Sequence, residues 1–300
     1  MSIEVVRTSD TLESIEVQAV LAERAYAKIN LTLDVVGRRP DGYHEVDMVM
    51  QTIDLSDLIW LERIESGLQV GSPASHIPLD HRNLAYMAAA AFLKHTRVSQ
   101  GVRIWIEKQI PVAAGLAGGS ADAAAVLRGM NRLFGTGLTL DELADIGAAI
   151  GSDVPFCVYG GCAVATGRGE RIRRLAHPLK AWVVLVHPPV HVSTADVYGA
   201  VTPADYAARP LSPRMTEALI DADVDEINHL VRNGLQPITE QLYPEVALLR
   251  QRMANVAKVP VHMSGSGPTL YCLTPTQSAG QRLYNAFRGF AKEVYLSRFV

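Results

Sequence analysis

Residues 111–125 read PVAAGLAGGSADAAA, a glycine-rich loop that runs directly into an alanine-rich segment. The alanine run predicts the start of a helix. Glycine lets backbone N–H groups approach an anion closely, because no Cβ stands in the way. The helix start adds unpaired N–H groups and the positive end of the helix dipole. The stretch therefore predicts a phosphate-binding loop, with a nucleoside triphosphate as the favoured ligand.

The loop differs from the two best-known phosphate-binding patterns. No lysine follows its second glycine, so G-x4-G-K-[ST] is absent, and G-x-G-x-x-G is absent as well. The alternative interpretation is an ordinary strand-to-helix turn with a glycine for tight packing. The coincidence of three glycines, a serine and an alanine run at one junction favours the phosphate loop.

The composition predicts a folded protein with one large domain or two ordinary ones, since 300 residues are 48% apolar and 20% charged. The net charge of −3 shows no excess of basic residues of the kind that typically binds nucleic acid. The apolar runs are too short to span a membrane, and the acidic first thirty residues do not resemble a secretory signal. Three cysteines without metal spacing predict a reduced, cytoplasmic protein, and no histidine pattern predicts a protein-ligated metal.

Residues 25–35 alternate between apolar and polar side chains, which predicts a half-buried β-strand. Lys28 and Asn30 belong to the polar set, so both are expected to project from the face away from the core. Taken alone, Lys28 is most simply an ordinary exposed lysine of a strand.

The rest of the chain predicts a mixture of strands and helices. Strands are predicted at 15–21, 46–53, 57–70, 102–110, 156–158, 182–187 and 270–273. Helices are predicted at 83–95, directly after the glycine loop, from a capping box at 139–142, within 199–228 and at 244–257. A cluster of arginines at 168–174 marks a shift in composition. We interpret these arginines as solvated surface and predict a boundary there, between an N-terminal domain (1–170) and a C-terminal domain (171–300).

Phosphoryl transfer requires donors that hold the triphosphate, a cation against the moving charge and a group that positions the nucleophile. The glycine loop, Lys28 and Asp153 are candidates for these three roles. Asp153 is equally suited to a turn or a helix cap before Pro155. For a second loop of glycine and serine, at 264–267, the alternative interpretation is a tight turn. Spacing alone does not show that these groups meet.

Three segments resemble the three sequence motifs of the GHMP kinases. They are AYAKINL at 25–31, the loop at 111–125 and MSGSGPT at 263–269. Two more, RPDGYH at 39–44 and GSDVPF at 151–156, point to the branch that phosphorylates 4-diphosphocytidyl-2-C-methyl-D-erythritol. The resemblance implies an α+β, two-domain fold with the active site in the cleft between the domains. It also implies a left-handed βαβ connection in the N-terminal domain, an exception to the usual handedness.

The implied reaction is ATP-dependent phosphorylation of the substrate's 2-hydroxyl, a step of the non-mevalonate route to isoprenoid precursors, with Mg²⁺ as the charge partner of ATP. Asp153 matches the catalytic aspartate, which would accept or orient the hydroxyl proton. Lys28 matches the lysine that would contact Asp153 and neutralise charge on the transferring group. The nucleotide would be held by Pro111, Gly115, Leu116, Ala117, Gly118, Gly119 and Ser120.

The resemblance also assigns residues to the acceptor substrate. Tyr43 would stack on the cytosine and His44 would hydrogen-bond its edge. Tyr198 would close a sandwich on the base, although a core tyrosine within a helix is nearly as good an interpretation. Further polar contacts to the erythritol or the phosphates would come from Asn30, Ser264, Gly265 and Gly267.

Three alternatives stay open at this stage. One is a GHMP kinase for another small alcohol, such as homoserine or a mevalonate derivative, although Tyr43 and His44 have no base to read in such substrates. Another is a catalytically dead nucleotide-binding member, against which the presence of both Lys28 and Asp153 argues. A dinucleotide-binding oxidoreductase would need glycine spacing that the chain lacks. We expect a small-molecule substrate, a monomer or homodimer and no nucleic-acid or membrane partner. We assign no role to residues 1–20.

Overall fold

The computed structural model describes residues 20–177 and 179–300, which form two β-sheets with α-helices packed around them. The first sheet contains β1 (Leu21–Arg38), β2 (His44–Ile64), β3 (Leu68–Gly71), β4 (Gly101–Glu107), β5 (Cys162–Gly167), β6 (Arg171–Leu175) and β8 (Arg232–Asn233). The second sheet contains β7 (Trp182–His187), β9 (His262–Met263), β10 (Leu270–Thr274) and β11 (Glu293–Arg298). The strand predicted at 15–21 lies mostly outside the described residues.

The long strand β2 organises the first sheet. It pairs with β1 along its length, with β4 through its second half and with β5 through its first half, always antiparallel. The edge strands β3 and β8 pair parallel with β4 and β1. In the second sheet, β7 and β10 form the centre, with β11 and β9 at the edges. A left-handed connection in the first domain stays a prediction.

Ten α-helices surround the sheets in the described ranges. They are α1 (Leu84–Thr96), α2 (Gly118–Phe134), α3 (Leu140–Ala148), α4 (Val154–Tyr159), α5 (Thr194–Gly199), α6 (Ser212–Asp221), α7 (Val224–Leu230), α8 (Gln236–Leu242), α9 (Pro244–Ala257) and α10 (Gln277–Arg288). Helix α2 begins in the glycine loop as predicted, and its alanine-rich first half is buried against β1 and β2. The predicted capping box is confirmed, because Thr139 and Glu142 exchange hydrogen bonds at the start of α3.

The prediction that β1 is half-buried is wrong. Over residues 27–35 its polar side chains are as buried as its apolar ones, with Lys28 4% exposed and Asn30 1% exposed, whereas Tyr26 is 36% exposed. The C-terminal part of the chain covers this face. Tyr271 donates a hydrogen bond to the Asn30 carbonyl at 2.7 Å, and the Leu211 N–H donates to Asp34 at 2.8 Å. The strand that carries Lys28 is therefore enclosed between the two parts of the structure.

The strand predicted at 156–158 is also wrong, because these residues lie within α4. Pro155 occupies the first turn of that helix, where its fixed φ and missing N–H are both compatible with helix. The following strand, β5, begins only at Cys162. Apolar content alone did not distinguish a buried helical turn from a buried strand.

The two sheets divide the chain between β6 and β7. Strand β6 pairs with β5 in the first sheet, whereas the next strand, β7, lies in the second. We propose a boundary within 176–181, and the division after residue 170 stays a prediction. The chain then returns to the first sheet through β8, and Phe299 forms a bridge with Ile53. The two domains are consequently tied together at several points along the sequence.

Candidate active site

A cavity of about 880 Å³ opens where the two domains meet. Its walls come from β1, the start of β2, the glycine loop, the segment before α4, helix α5 and the second glycine loop. Twelve of the predicted site residues line it: Lys28, Asn30, Tyr43, His44, Gly115, Ala117, Gly118, Gly119, Ser120, Asp153, Tyr198 and Gly265. The fold thus brings nucleotide-loop, catalytic and substrate candidates into one space.

Four predicted site residues do not line this cavity: Pro111, Leu116, Ser264 and Gly267. Two of them hold the loops in place instead. The Leu116 carbonyl accepts the Lys28 backbone N–H at 3.2 Å. The Ser264 hydroxyl, which is fully buried, donates to the Gly115 carbonyl at 2.9 Å. These contacts fix the phosphate loop between β1 and the C-terminal domain.

The first turn of α2 provides a donor set for phosphate. Ala117 caps the helix in the left-handed conformation (φ 57°), with no side-chain hydrogen bond to the helix start. The N–H groups of Gly118, Gly119 and Ser120 have no intrahelical acceptor, because they lie in the first turn. They line the cavity and carry the positive end of the helix dipole. The site therefore fits an anionic phosphate chain.

Gly115 is required for both conformation and space. Its φ is +74°, and a Cβ at this position would lie 2.1 Å from the Ser264 carbonyl oxygen of the C-terminal domain. A side chain would need an unfavourable backbone conformation and would also push the two glycine loops apart. Gly115 is therefore a position where the N-terminal domain lies in tight contact with the C-terminal domain.

We expect Gly115→Ala to lower both the melting temperature and the affinity for ADP. The left-handed conformation alone costs an alanine about 1–2 kcal/mol, and the contact with Ser264 adds to that cost. Gly137→Ala is the matched control, because Gly137 has φ +71° and no atom within 4 Å of a built Cβ. Thermal melting and calorimetric ADP titration measure both effects. Equal losses in the two variants would contradict the proposed contact between the loops.

Lys28 lines the cavity and makes three polar contacts there. Its ammonium donates to the Asn30 side-chain oxygen at 2.7 Å and to the Gly115 carbonyl at 3.3 Å. It also forms an ion pair with Asp153, at 3.7 Å between Nζ and Oδ2. Lys28 is buried, so it is not the ordinary exposed strand lysine that the sequence alone also allowed. One cation thus links β1, the phosphate loop and the candidate catalytic carboxylate.

Asp153 precedes α4, but its side chain does not cap that helix. The carboxylate is instead 29% exposed, lines the cavity and is paired with Lys28. Asn30 has a mainly internal role, since its side-chain oxygen also accepts the Gly265 N–H at 3.0 Å. Asn30 thereby holds Lys28 on one side and the second glycine loop on the other.

An aromatic group occupies another part of the cavity. Tyr43 is 54% exposed, whereas His44 is half-buried and lies 5.4 Å from the Tyr198 ring, centroid to centroid. Burial, together with the charge of Arg38, lowers the pKa of His44. The imidazole is therefore neutral at pH 7, with one donor nitrogen and one acceptor nitrogen. Burial raises the pKa of Tyr198, which keeps its hydroxyl protonated.

Arg168 is a site residue that the sequence reasoning missed. We interpreted it as solvated surface, and that is wrong: its guanidinium donates to the Ala148 carbonyl at 2.6 Å and lies 5.4 Å from the Tyr43 ring centroid. It also lines the cavity. The neighbouring Arg171, Arg173 and Arg174 are exposed, as expected. No sequence signal separates Arg168 from this cluster, because only tertiary packing brings it to Tyr43.

Thr194 and Ser266 were also missed. Their hydroxyl oxygens lie 2.8 Å apart, and both residues line the cavity from the C-terminal domain. Ser266 lies inside the second glycine loop, so that motif contained a signal for it. Thr194 begins α5, one turn before Tyr198, and nothing in its local sequence sets it apart.

Two searches of the described residues bear on metals and membranes. Within residues 20–177 and 179–300, no group of three or more His, Cys, Asp or Glu side chains is arranged to hold a metal ion. In the same ranges, no helix combines the length and the apolar character needed to cross a bilayer.

Two family models match the chain. Residues 83–161 match the GHMP kinases N terminal domain, and residues 215–293 match GHMP kinases C terminal. A 4-diphosphocytidyl-2-C-methyl-D-erythritol kinase from Exiguobacterium sibiricum is 49% identical over 278 residues, which cover 92% of this chain and 97% of the relative. The chain belongs to the 4-diphosphocytidyl-2-C-methyl-D-erythritol kinase family. It is accordingly a small-molecule kinase, with ATP as the phosphate donor of its family.

Solved structures agree with this placement. A crystal structure of 4-(cytidine 5'-diphospho)-2C-methyl-D-erythritol kinase has a TM-score of 0.80 and 34% identity, covering 93% of this chain and 99% of that one. Homoserine kinase from Cytophaga hutchinsonii has a TM-score of 0.71 at 17% identity, with 97% of each chain covered, and shows the fold alone. The α+β GHMP kinase fold predicted from the sequence is confirmed.

Proposed function

We propose that this kinase transfers the γ-phosphoryl group of ATP to the 2-hydroxyl of 4-diphosphocytidyl-2-C-methyl-D-erythritol, in the non-mevalonate route to isoprenoid precursors. One observation carries the proposal. The Lys28–Asp153 ion pair, at 3.7 Å, lies in the same cavity as the N–H groups of the phosphate loop and the aromatic group of Tyr43 and His44. The N–H groups beside the ion pair suit a triphosphate, and the aromatic group suits a nucleobase.

The nucleotide would dock on the first turn of α2. The N–H groups of Gly118, Gly119 and Ser120 would donate to its phosphate oxygens, and the Ser120 hydroxyl adds a donor. Gly115 and Ala117 shape the loop through their left-handed backbone conformations. Pro111 and Leu116 do not line the cavity, so we propose that they support the loop and do not touch the nucleotide.

Asp153 and Lys28 would carry out the chemistry. The substrate hydroxyl oxygen forms a bond to the γ-phosphorus, the bond from that phosphorus to the bridging oxygen of ADP breaks, and the hydroxyl proton passes to the Asp153 carboxylate. A loose transition state needs little early deprotonation, so orienting the hydroxyl is the main task of Asp153. Lys28 would stabilise the negative charge that develops on the transferring group.

Mg²⁺ would be the charge partner of ATP, because it is commonly held by phosphate oxygens and water. When bound with ATP, it would neutralise the phosphate oxygens. The residues that face the nucleotide then need only supply the N–H donors and the Lys28 ammonium.

Tyr43 and His44 would recognise the cytosine. The exposed ring of Tyr43, with the Arg168 guanidinium near it, offers a flat stacking surface. A neutral His44 presents one donor and one acceptor to the base edge. Tyr198 packs beside His44, so we propose that it orients the imidazole as well as limiting the base slot. Gly265 and Ser266 line the cavity whereas Ser264 and Gly267 do not, so the first two would be the residues of that loop nearest to the substrate.

The deciding experiment is ADP release in a coupled assay with Mg-ATP. The acceptors to compare are the cytidyl substrate, its phosphate precursor without cytidine, homoserine and mevalonate. Turnover with the cytidyl substrate alone supports both the reaction and the base-reading group. Turnover with another alcohol keeps the kinase mechanism but overturns the acceptor, and ATP binding without turnover overturns the activity.

We expect Tyr43→Ala to raise the KM for the cytidyl substrate about tenfold, because loss of one stacked ring costs about 1–3 kcal/mol per base. The KM for ATP should change by less than about twofold, since the phosphate loop is untouched. Tyr43→Phe is the conservative control, and it should retain most of the affinity because the ring remains. Steady-state kinetics with each substrate varied measure the split. An equal rise in both KM values would contradict the stacking role.

Two further proposals concern the cellular compartment of the protein and its oligomeric state and partners. Cys157, Cys162 and Cys272 are free and buried, and burial raises the pKa of each thiol to about 12. Unreactive buried thiols are compatible with a reducing compartment, which supports the proposed cytoplasmic location. A monomer or homodimer, without nucleic-acid or membrane partners, stays a prediction.

A further inference from the structure

A buried ion cluster lies beside the phosphate loop, outside the cavity. Lys108 Nζ is 2.5 Å from Asp57 Oδ2 and 2.8 Å from Asp122 Oδ2. The side chains are between 0% and 7% exposed, and none of the three residues lines the cavity. The proposed chemistry uses none of them, so the cluster needs a separate explanation.

The cluster joins the two ends of the phosphate loop. Lys108 directly follows β4, where the loop begins, and Asp122 is the fifth residue of α2, where the loop ends. Asp57 belongs to β2 and accepts the backbone N–H groups of Gln109 and Ile110 through Oδ1, at 2.5 and 2.8 Å. Lys108 therefore connects the sheet to the helix across the base of the loop.

Lys108 also lies against the first residue of α2. A Cβ built on Gly118 would be 3.3 Å from Lys108 Nζ and 3.1 Å from Ile110 Cγ2. The ammonium therefore lies next to the helix start, with no room for a side chain between them. Because Gly118 begins the donor set for phosphate, a shift of Lys108 would be transmitted to those N–H groups.

Burial of the three ionisable side chains of this cluster is costly in desolvation free energy. Burial raises the pKa of Asp122 above its ordinary value, as does the nearby Asp57, although Lys108 opposes the shift. Asp122 Oδ1 has no hydrogen-bond partner among the described residues. Buried ion groups of this kind often contribute little net stability compared with apolar side chains of similar volume. This cluster is therefore better explained by the fixed geometry that it gives to the phosphate loop than by a gain in stability.

We propose that Lys108, held between Asp57 and Asp122, is a positioning residue that sets the first turn of α2 for phosphate binding. It acts through the backbone of the loop and does not contact the nucleotide. The inference rests on the proposed role of this loop in binding ATP. Nucleotide affinity would then depend on residues outside the cavity as well as on those that line it. Recognition of the acceptor by Tyr43 and His44 would not depend on Lys108.

The informative variant is Asp122→Ala. It cuts the link to α2 while Lys108 keeps Asp57 as its partner, so no buried charge is left alone, and alanine suits this helix. Lys108→Met is a poorer probe, because it would leave two buried carboxylates facing each other. Asp122→Asn is the conservative variant, since its amide oxygen can still accept from Lys108. Asp34→Ala is the matched control, because Asp34, on β1, is likewise a fully buried carboxylate that is ion-paired with a basic side chain, Arg232, and whose Oδ1 has no hydrogen bond.

The readout is calorimetric affinity for ADP and, separately, for the cytidyl substrate, together with thermal melting. Loss of one hydrogen bond to a charged group predicts an ADP affinity about tenfold weaker in Asp122→Ala. The affinity for the cytidyl substrate should stay within about twofold, and Asp122→Asn should restore ADP binding to within about threefold. Asp34→Ala should lower the melting temperature without weakening ADP selectively.

Unchanged ADP affinity in Asp122→Ala, or an equal weakening of both ligands, would overturn the proposal. Since ADP binding does not depend on turnover, the result is separate from that of the acceptor assay. A wild-type protein that binds ADP but fails to phosphorylate the cytidyl substrate would overturn the proposed function and leave the role of Lys108 to be decided by the variants.

Discussion

Replacing Asp153 with asparagine is expected to lower kcat by about a thousandfold, because a positioned general base typically contributes about 10²–10⁴-fold. Asparagine keeps the size of the side chain and can still contact Lys28, yet it cannot accept the hydroxyl proton. The side chain makes no cap bond to α4, so the fold has little dependence on the carboxylate. The expected result is therefore loss of turnover in a normally folded protein.

The measurement is the coupled ADP-release assay, accompanied by ADP affinity and thermal melting. Asp145→Asn is the control, because Asp145 is an exposed carboxylate in the neighbouring helix α3. Both variants should bind ADP as the wild type does, and only Asp153→Asn should lose activity. Turnover of Asp153→Asn within about tenfold of wild type would remove Asp153 as the base.

Lys28→Met is expected to lower kcat by about 10²–10³-fold, as loss of one electrostatic stabiliser in a closed site does. Methionine fills most of the buried volume, but the cation beside Asp153 and the phosphate loop is gone. The Asn30 side-chain oxygen also loses its 2.7 Å donor, although it still accepts from Gly265. We therefore expect a moderate loss of stability alongside the large loss of rate.

The double variant Lys28→Met/Asp153→Asn separates a shared role from two independent ones. Residues that act as one unit show strongly non-additive losses. The double variant should consequently be little slower than Asp153→Asn alone. Losses that multiply would show that Lys28 and Asp153 act separately, and a Lys28→Met enzyme with nearly normal kcat would remove the lysine from the chemistry.

The local sequence specified much of the nucleotide side of this site. The alternation at 25–35 and the loop at 111–125 predicted β1 and the start of α2, and both are confirmed. These features depend on short-range rules of side-chain period and helix propensity, which a single segment contains. The motif resemblance supplied the catalytic and base-reading candidates, which were then found around one cavity.

The same local rules failed where a distant segment decides the environment. Lys28 was compatible with an exposed strand lysine until the C-terminal domain was seen to cover β1. Arg168 was indistinguishable from the exposed arginines that follow it, yet its guanidinium lies over Tyr43. Residues 156–158 were compatible with either a buried strand or a buried helix, and packing settled them as α4.

The sequence by itself determined the kind of chemistry: a glycine loop before a helix for phosphate, a lysine and an aspartate in GHMP motifs, and a tyrosine–histidine pair for a base. Only the tertiary structure decided that Asp153 faces Lys28, that Ser264 and Gly265 fix Gly115 and Asn30, and that Lys108 connects Asp57 to Asp122 beneath the loop. The reason is physical. Each of these contacts joins groups from separate parts of the chain, and they form only when the tertiary structure packs those parts together, which no local pattern encodes.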